Sequence, residues 1–517
     1  MKPNVLFGLA LAVSIGTCLA QNVETDNVGT GVDDSAKDGK TPTTQQCDEN
    51  GCQYPVDPNS TQQYSYPDKL RKFTPDMQPD LSDDEMRITF LGSGSPPARI
   101  AQESMSIFVE IGPWVPDPAG GFGKAHDSFV FDCGSGCLAN FQAMGITFSR
   151  MDKVFLSHLH GDHMSDLTMI YGFGAAGDRK WPLYVWGPGP SGVENPSGSP
   201  KLYEDGLYAF CYHLREMMRW HTEAFSFLET GYPGYDVPTQ QDWNTPVPMK
   251  PVGDDAANNG YAIVPIELDW TKTGLDEAGN PDYSNIAYEN NGVRITHFPV
   301  IHNRNGSMGY KLEWNGLSMI YTSDTRPETI SIQQAHNGGK GVDVLIHEMT
   351  LPPEIWAMKN LGLTFPDHSA PGFSQAFDTA KAIEEADHTS LGAFGYLLSL
   401  IDPRPGLTVV THFPVADDTV ECALNSVRKH FTNGSYPEFG KDIIWSTDLI
   451  VLKVKKGESG KPPQIEQFIG DVSDYTFLPP QNVYQPLAPA KYPSPTAQLD
   501  TTKLIQSGPD TYCKNGY

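Results

Sequence analysis

A run of ten residues, VFLSHLHGDH, from Val154 to His163, limits what this chain can fold into more than any other segment. Its apolar start is typical of a short buried strand, and three histidines and one aspartate follow in the spacing HxHxDH. Imidazole nitrogens and carboxylate oxygens are good ligands for zinc and similar divalent ions. So many such groups directly after a strand favour a metal site over a histidine-rich surface loop. The run predicts a strand that ends at a metal centre, with candidate ligands His158, His160, Asp162 and His163.

Three further predicted strands, well downstream, lead into side chains of the same chemistry. His302 lies in a loop between the apolar segments VRITHFPV and SMGYKLE, Asp324 follows LSMIYTS, and His412 follows LTVVT. Loops over a rigid sheet are where proteins place functional groups. Each of these residues alone is more simply a helix cap or a satisfied core residue, but together they extend the candidate ligand set.

Seven segments in order resemble the motifs of the tRNase Z and secreted arylsulfatase-like branch of the metallo-β-lactamase superfamily. Besides the histidine run they include FLGSGSPPAR, FVFDCGSG, PLYVWGP, SDTRP and VDVLIHE. The resemblance covers residues 87–455, which we interpret as one hydrolase domain with an insertion at about 195–290. It implies an α/β (α+β) fold, a four-layer αββα sandwich of two similar halves with a helical inserted segment. The metals are then expected in a cleft at one edge.

The resemblance also implies a role for each candidate ligand. One ion would be held by His158, His160 and His302, and the second by Asp162, His163 and His412. Asp324 would bridge both ions, because a carboxylate has two oxygens and its charge partly offsets two dications. Zinc is the expected metal, with manganese or iron(II) as alternatives, since geometry and availability decide occupancy.

The family places a further histidine just ahead of a helix, where it can protonate a leaving group. His368 (DHSAPGF) and His388 (DHTSLGAFGYLLSL) both resemble that signature. We favour His388, because a helix from Leu391 to Ile401 and the strand LTVVT fill the interval before His412 naturally. His368 is the alternative donor, and Asp162 is predicted to take part in catalysis as well as in metal binding.

The two ends of the chain differ in composition from its middle. Residues 1–20 resemble a secretory signal peptide, with a basic residue, a short apolar core and small residues at the end. Residues 21–65 read as a disordered acidic and polar linker, in which Cys47 and Cys52 are candidates for a disulfide. Residues 478–517 form a proline-rich tail. The sequence therefore predicts a secreted or periplasmic protein, and no later segment is apolar enough to span a membrane.

The net charge of −27 and a calculated pI of about 4.8 describe an acidic surface, which repels polyanions. The region between Gly187 and Asn291 also lacks the basic, Gly/Pro-rich arm by which the tRNase branch grips its substrate. From these two features we expect a small-molecule ester as substrate, with nucleic acid an unlikely partner. A homodimer is compatible with the sequence.

The same region contains an amphipathic segment from Leu202 to Phe225 that predicts a helix. Its apolar stripe has two interpretations of equal weight, as core packing or as a lid over the substrate pocket. The stripe comprises Leu207, Phe210, Cys211, Leu214, Met217, Met218 and Trp220.

The resemblance and the residue pattern together predict an exported, dinuclear-metal (zinc) hydrolase. Its substrate would be a small phosphodiester, sulfate ester or related ester, cleaved by attack of a metal-bridging hydroxide. One alternative is a tRNase Z-like phosphodiesterase or endoribonuclease. Another, from a different functional class, is a catalytically inactive binding protein on the same fold, which the complete ligand set disfavours.

Overall fold

A computed structural model describes residues 46–48, 51–53, 64–118, 123–179, 181–218, 220–221, 260–364, 366–432, 437–457 and 461–472. The strands in these ranges are β1 (Gln46–Asp48), β2 (Gly51–Gln53), β3 (Arg71–Phe73), β4 (Glu85–Gly92), β5 (Ser106–Val115), β6 (Lys124–Phe131), β7 (Lys153–Phe155), β8 (Leu183–Pro188), β9 (Ile263–Leu268), β10 (Ile286–Asn290), β11 (Val293–Pro299), β12 (Met308–Trp314), β13 (Leu317–Tyr321), β14 (Val344–Glu348), β15 (Leu407–Thr411), β16 (Ile443–Trp445), β17 (Ile450–Lys455) and β18 (Gln464–Gly470). The α-helices are α1 (Cys137–Ala143), α2 (Gly161–Met164), α3 (Leu167–Gly174), α4 (Leu207–Met217), α5 (Thr329–His336), α6 (Pro353–Asn360), α7 (Phe373–Asp387), α8 (Leu391–Ser399) and α9 (Asp417–His430).

Two large sheets contain most of these strands. The nine-stranded sheet has the order β3-β18-β17-β4-β5-β6-β7-β8-β9, and the seven-stranded sheet has the order β10-β11-β12-β13-β14-β15-β16. In each sheet an antiparallel part continues into a run of parallel strands, β6 to β9 in the first and β13 to β16 in the second. Parallel strands carry their C-terminal ends to one edge of a sheet, so the loops that follow them gather there.

The main core lies between the two sheets. Strand residues alternate between the faces of a sheet, and β5 shows this directly. Ile107 and Val109 point into the core shared with the other sheet, whereas Phe108 between them points towards the helices. Both faces of these strands are buried, which explains why they are nearly continuous apolar runs in the sequence.

Helices cover the outer face of each sheet. Residues of α1, α3 and α4 join the outer core of the nine-stranded sheet, and residues of α8 and α9 join that of the seven-stranded sheet. The arrangement is a four-layer αββα sandwich, so the predicted fold class is confirmed. The nine-stranded sheet extends beyond the predicted 87–455 range at both ends, since it includes β3 and β18.

The helix predicted from Leu202 to Phe225 is shorter than expected at its start. It begins at Leu207, where the first free backbone N–H groups need acceptors, and Glu267 Oε1 on β9 accepts from Tyr208 N at 2.8 Å. This tertiary contact is not visible in local sequence.

The apolar stripe of α4 is divided between core and surface. Leu207, Cys211 and Leu214 are buried in the outer core, which supports core packing for the first half of the stripe. Met217 and Trp220 at its other end are 65% and 82% exposed.

Several predictions concern the ends of the chain. The predicted signal peptide, most of the linker and the proline-rich tail lie outside the described residues. Cys47 and Cys52 are opposite each other in the register of the β1–β2 pair, and their disulfide stays a prediction. In the part of the chain that is described, no helix is both long and apolar enough to cross a membrane.

Candidate metal centre

The two sheets contribute separate halves of one cluster of histidines and aspartates. The histidine run follows β7 of the nine-stranded sheet, with α2 beginning inside it at Gly161. His302, Asp324 and His412 follow β11, β13 and β15 of the seven-stranded sheet. The loops of the two sheets meet at one edge of the sandwich, so the seven predicted ligands converge only because the sheets pack face to face.

Three imidazoles form the first half of the cluster. His302 Nε2 lies 3.2 Å from His160 Nδ1, and the His158 ring centroid lies 4.5 Å and 4.9 Å from those of His160 and His302. Ligand atoms of all three are within 4.8 Å of one another. His158 Nε2 is buried and has no hydrogen-bond partner in the described part of the chain, as expected of a nitrogen that faces an ion.

Two aspartates and two imidazoles form the second half. Asp162 Oδ2 lies 3.2 Å from His412 Nε2 and 3.4 Å from His163 Nε2. Asp324 Oδ2 lies 3.4 Å from each of the same two nitrogens. Ligands at about 2.1 Å around a tetrahedral ion are separated by about 3.4 Å, so these distances suit a shared divalent ion.

Asp324 connects the two halves. Its Oδ2 is also 3.8 Å from His302 Nε2, while its Oδ1 is buried and, within the residues that the structure describes, has no hydrogen-bond partner. Burial opposes the charge on this carboxylate, but His412 and His163 hold its pKa well below the usual range. An ionised carboxylate between two sets of nitrogens is the arrangement that a bridging ligand requires.

The second nitrogen of each of three histidines is fixed by a hydrogen bond. His163 Nδ1 donates to Asp132 Oδ2 at 2.8 Å, and His302 Nδ1 donates to the backbone carbonyl of Asp387 at 2.9 Å. Ser157 Oγ donates to Asp132, so it can accept from His158 Nδ1 at 3.0 Å. Such outer contacts set the tautomer and orientation that present Nε2 to a metal.

Asp132 is a functional residue that the sequence analysis did not single out. Besides His163 it accepts from Ser157 N at 2.8 Å and from Tyr321 Oη at 2.6 Å, so its carboxylate links the two sheets beneath the centre. It has a left-handed backbone with φ of 56°, a conformation that aspartate tolerates better than most residues. The FDCG segment, which contains Asp132, was the sequence pattern that could have identified it.

Burial governs the protonation of the first three imidazoles. It lowers the pKa of His158, His160 and His302, so these rings are neutral near pH 7 and can act as ligands. His163 differs, because Asp324 and Asp132 outweigh its burial and raise its pKa. Metal binding at His163 therefore displaces a proton.

Glu348 is the second residue without a predicted role, although VDVLIHE was recognised as a motif. It is fully buried at the end of β14, and its Oε1 and Oε2 lie 2.9 Å and 3.0 Å from His388 Nδ1. Burial opposes the charge on His388, but Glu348 raises the pKa of that imidazole to about 10. His388 is thus held in its protonated form beside Asp324, whose Oδ2 is 4.0 Å from His388 Nδ1.

The other candidate proton donor lies elsewhere. His368 is exposed and packs on Phe373, with ring centroids 4.6 Å apart. It belongs to none of the potential metal-binding groups found among the described residues. His388, in contrast, stacks on His412 with ring centroids 5.5 Å apart and precedes α8, which begins at Leu391 as predicted.

A cavity of about 770 Å³ opens beside the cluster. His388 and His412 line one side of it, and the loop 95–102 and helices α6 and α7 line the others. Glu384 of α7 lies in the same wall, where burial raises its pKa to about 8. Its carboxyl is therefore mostly uncharged at pH 7 and does not repel an anion there.

Comparison with known proteins identifies the family. Ribonuclease Z of Methanothermobacter thermautotrophicus is 32% identical over 271 residues, which are 52% of this chain and 75% of that protein. This chain belongs to the ribonuclease Z family. Ribonuclease Z of Picrophilus torridus is 23% identical over 287 residues, covering 53% of this chain and 76% of the relative. A family model described as Anti-Pycsar protein Apyc1 matches residues 122–185.

The chain is also similar to a solved structure, that of human tRNase Z, short form. It is 18% identical, with 71% of this chain and 98% of that chain covered and a TM-score of 0.35.

Membership of the ribonuclease Z family corrects one prediction. The acidic net charge made nucleic acid an unlikely partner, yet the curated relatives are named for action on RNA. The reason is that net charge sums the whole chain, whereas binding depends on the local surface. The wall of the cavity carries Arg99 and Lys359 and an uncharged Glu384, so the opening beside the metal ligands is not acidic.

Proposed function

We propose that this protein is a divalent-metal-dependent phosphodiesterase of the ribonuclease Z type. The observation that carries the proposal is the position of Asp324 Oδ2, 3.4 Å from His163 and His412 and 3.8 Å from His302. One carboxylate oxygen within reach of two sets of nitrogens suits a dinuclear centre. Such centres clamp the attacking and leaving oxygens of a phosphodiester displacement.

The donor atoms present fit two divalent ions. His158, His160 and His302 would hold one ion, Asp162, His163 and His412 the other, and Asp324 would bridge them. Two buried atoms, His158 Nε2 and Asp324 Oδ1, have no hydrogen-bond partner among the described residues and support this assignment, because a buried orphaned acceptor is otherwise destabilising. Mixed imidazole and carboxylate ligands favour zinc, with manganese or iron(II) as alternatives. Bound ions would supply Lewis-acid activation of water and of the phosphoryl oxygens.

The protein's own residues supply orientation and a proton. Asp132 and Ser157 hold His163 and His158 in position, and the ionised Asp162 can accept a hydrogen bond from the attacking water. The water oxygen forms a new bond to phosphorus and loses its proton through Asp162 to solvent, as the bond from phosphorus to the leaving oxygen breaks. Glu348 holds the His388 imidazolium, which gives its proton to the leaving oxygen and so releases an alcohol. His388 then recovers a proton from solvent.

A substrate panel tests this proposal. The purified protein, loaded with zinc or manganese, is assayed with bis(p-nitrophenyl) phosphate, p-nitrophenyl sulfate, a p-nitrophenyl acyl ester and a structured RNA with a 3′ extension. We expect hydrolysis of the phosphodiester and endonucleolytic cleavage of the RNA, both abolished by chelation. Selective sulfatase or acyl esterase activity would overturn the phosphodiesterase assignment. Loss of all four activities in a protein that retains two ions would favour the inactive binding protein.

We also propose export, on the strength of the composition of residues 1–20 alone. N-terminal sequencing of the protein recovered from its natural source tests this. A mature chain that begins near Gln21 supports the proposal, and a chain that retains Met1 opposes it.

A further inference from the structure

The cavity beside the metal ligands has one wall whose chemistry the hydrolytic residues do not use. Helix α6 presents Ile355, Trp356 and Met358 to it, and α7 presents Ile383. Trp356 is half-buried and Ile383 is 53% exposed, so this wall offers apolar surface that no other described element covers completely. Apolar pockets with a few convergent polar groups are the usual form of ligand sites.

The loop 95–102 also lines the cavity and carries a cation, Arg99, that has no ion-pair partner among the described residues. Arg99 Nη1 is buried, and it has no hydrogen-bond partner among the described residues. Its loop is held firmly beside the centre, because Gln102 donates to the carbonyl of Phe413 at 3.0 Å and accepts from Val415 N at 2.9 Å. A buried guanidinium nitrogen without a partner is destabilising, so this side of the cavity suits an anionic group of the substrate.

The position of His388 indicates which part of a substrate lies in the cavity. It lines the cavity and is the proposed proton donor, so the leaving oxygen must lie on this side of the metal ligands. The group attached to that oxygen then extends towards α6 and α7. A volume of about 770 Å³ accommodates one nucleoside but not a base-paired duplex.

We propose that this cavity is a subsite for the leaving nucleoside of a phosphodiester, with its unpaired base against Trp356 and Ile383 and an adjoining phosphate oxygen at Arg99. The proposal rests on the phosphodiesterase function and adds the identity of the leaving group. Aromatic side chains stack with any base, because every base has a π-face. The buried pair of Glu384 and Thr350, whose side chains hydrogen-bond each other, offers polar contacts to the base edge.

The test measures, on the metal-loaded enzyme, whether the effect of Trp356→Ala depends on the presence of the base in the leaving nucleoside. Dinucleoside monophosphates are prepared intact and with the base removed from one or the other nucleoside, and products are separated to give kcat/KM for each. Stacking of one base contributes about 5- to 150-fold. We expect removal of the base from the leaving nucleoside to reduce kcat/KM of the unaltered enzyme by that factor. Trp356→Ala should produce the same loss on the intact substrate and almost none on the abasic one.

Two further variants test whether the loss in Trp356→Ala comes from structural damage rather than from lost base stacking. Trp356→Phe keeps an aromatic ring and should recover most of the lost activity. Trp220→Ala removes an exposed tryptophan beyond the end of α4 and should leave kcat/KM unchanged. Arg99→Ala should lower kcat/KM on intact and abasic substrates alike, because it acts on the phosphate.

If Trp356→Ala lowered kcat/KM by the same factor on the intact and the abasic substrate, Trp356 would not contact the base and the proposed subsite would be wrong. A preference for an octyl leaving group that Trp356→Ala abolishes would also overturn the subsite, since the cavity would then bind a lipid-like group. Failure of the unaltered enzyme to cleave any phosphodiester would instead refute the proposed function itself.

Discussion

His388 Nδ1 lies 2.9 Å from Oε1 of Glu348, a fully buried carboxylate at the end of β14. Glu348 Oε1 also accepts from Thr325 N at 2.6 Å, next to Asp324 on the neighbouring strand end. The pair couples the proposed proton donor to the backbone beside the proposed bridging ligand. It accounts for the protonated state of an imidazole that burial alone would neutralise.

Substitution of Glu348 by glutamine should change the pH dependence of turnover. Glu348 raises the pKa of His388 to about 10, so the acid form persists through neutral pH. A general acid is lost as the pH rises through its pKa. In Glu348→Gln the pKa of His388 falls, and the alkaline limb of the kcat profile should move to lower pH, measured on a diester with an alkoxide leaving group. An unchanged limb would show that another group supplies the proton.

Replacement of His388 should affect poor leaving groups most. A general acid contributes about 10²–10⁴-fold, and a nitrophenolate scarcely needs protonation. We expect His388→Ala to keep both metals, to lose rate strongly on an alkyl phosphodiester and to lose little on bis(p-nitrophenyl) phosphate. His368→Ala is the matched control, because that exposed histidine packs on Phe373 away from the ligand groups. The reverse pattern in the two variants would assign the proton donor to His368.

Removal of Asp324 should loosen both ions together. Its Oδ2 lies within 3.8 Å of nitrogens from both halves of the cluster, so Asp324→Ala leaves each half without a ligand. We expect metal content, measured by plasma mass spectrometry after dialysis, to fall below one ion per chain and turnover to be abolished. Asp276→Ala, in an exposed loop, should retain full occupancy. Two tightly bound ions in Asp324→Ala would rule out the bridging role.

Asp132 should control metal affinity without binding a metal. Its carboxylate orients His163, and loss of such an outer contact reduces metal affinity by about 10- to 100-fold. We expect Asp132→Asn to weaken zinc binding by that factor in a chelator competition. Asp127→Asn, in the middle of β6, removes a buried carboxylate that accepts a hydrogen bond from Tyr288 instead and should leave zinc affinity unchanged. Equal losses in both variants would point to general destabilisation of the sheet.

Much of this centre follows from local sequence. The HxHxDH run, the loop with His302 and the strand ends before Asp324 and His412 are recognisable because a parallel strand and the polar residue after it are adjacent in the chain. The choice of His388 over His368 also came from a local pattern, a histidine directly before an apolar helix, and the helix is present from Leu391 to Ser399.

Other features depend on packing between distant segments. Asp132 and Glu348 lie in recognisable motifs, but their roles arise only when Tyr321 or His388 reaches them from another strand or loop. The start of α4 is set by Glu267 on β9, and the cavity wall combines α6 and α7 with a loop from the other sheet. The prediction that nucleic acid is an unlikely partner was wrong because it used net charge, which carries no information on where the charges lie in the folded protein.

The sequence by itself determined which side chains could bind metal and that they would follow buried strands, since apolar runs and the polar residues after them are local properties. Only the tertiary structure decided that the two sets of ligands meet. His158 and His163 follow a strand of one sheet, and Asp324 and His412 follow strands of the other. Burial of the apolar faces between the sheets brings these edges together, and that driving force depends on the combined area of many residues rather than on any motif.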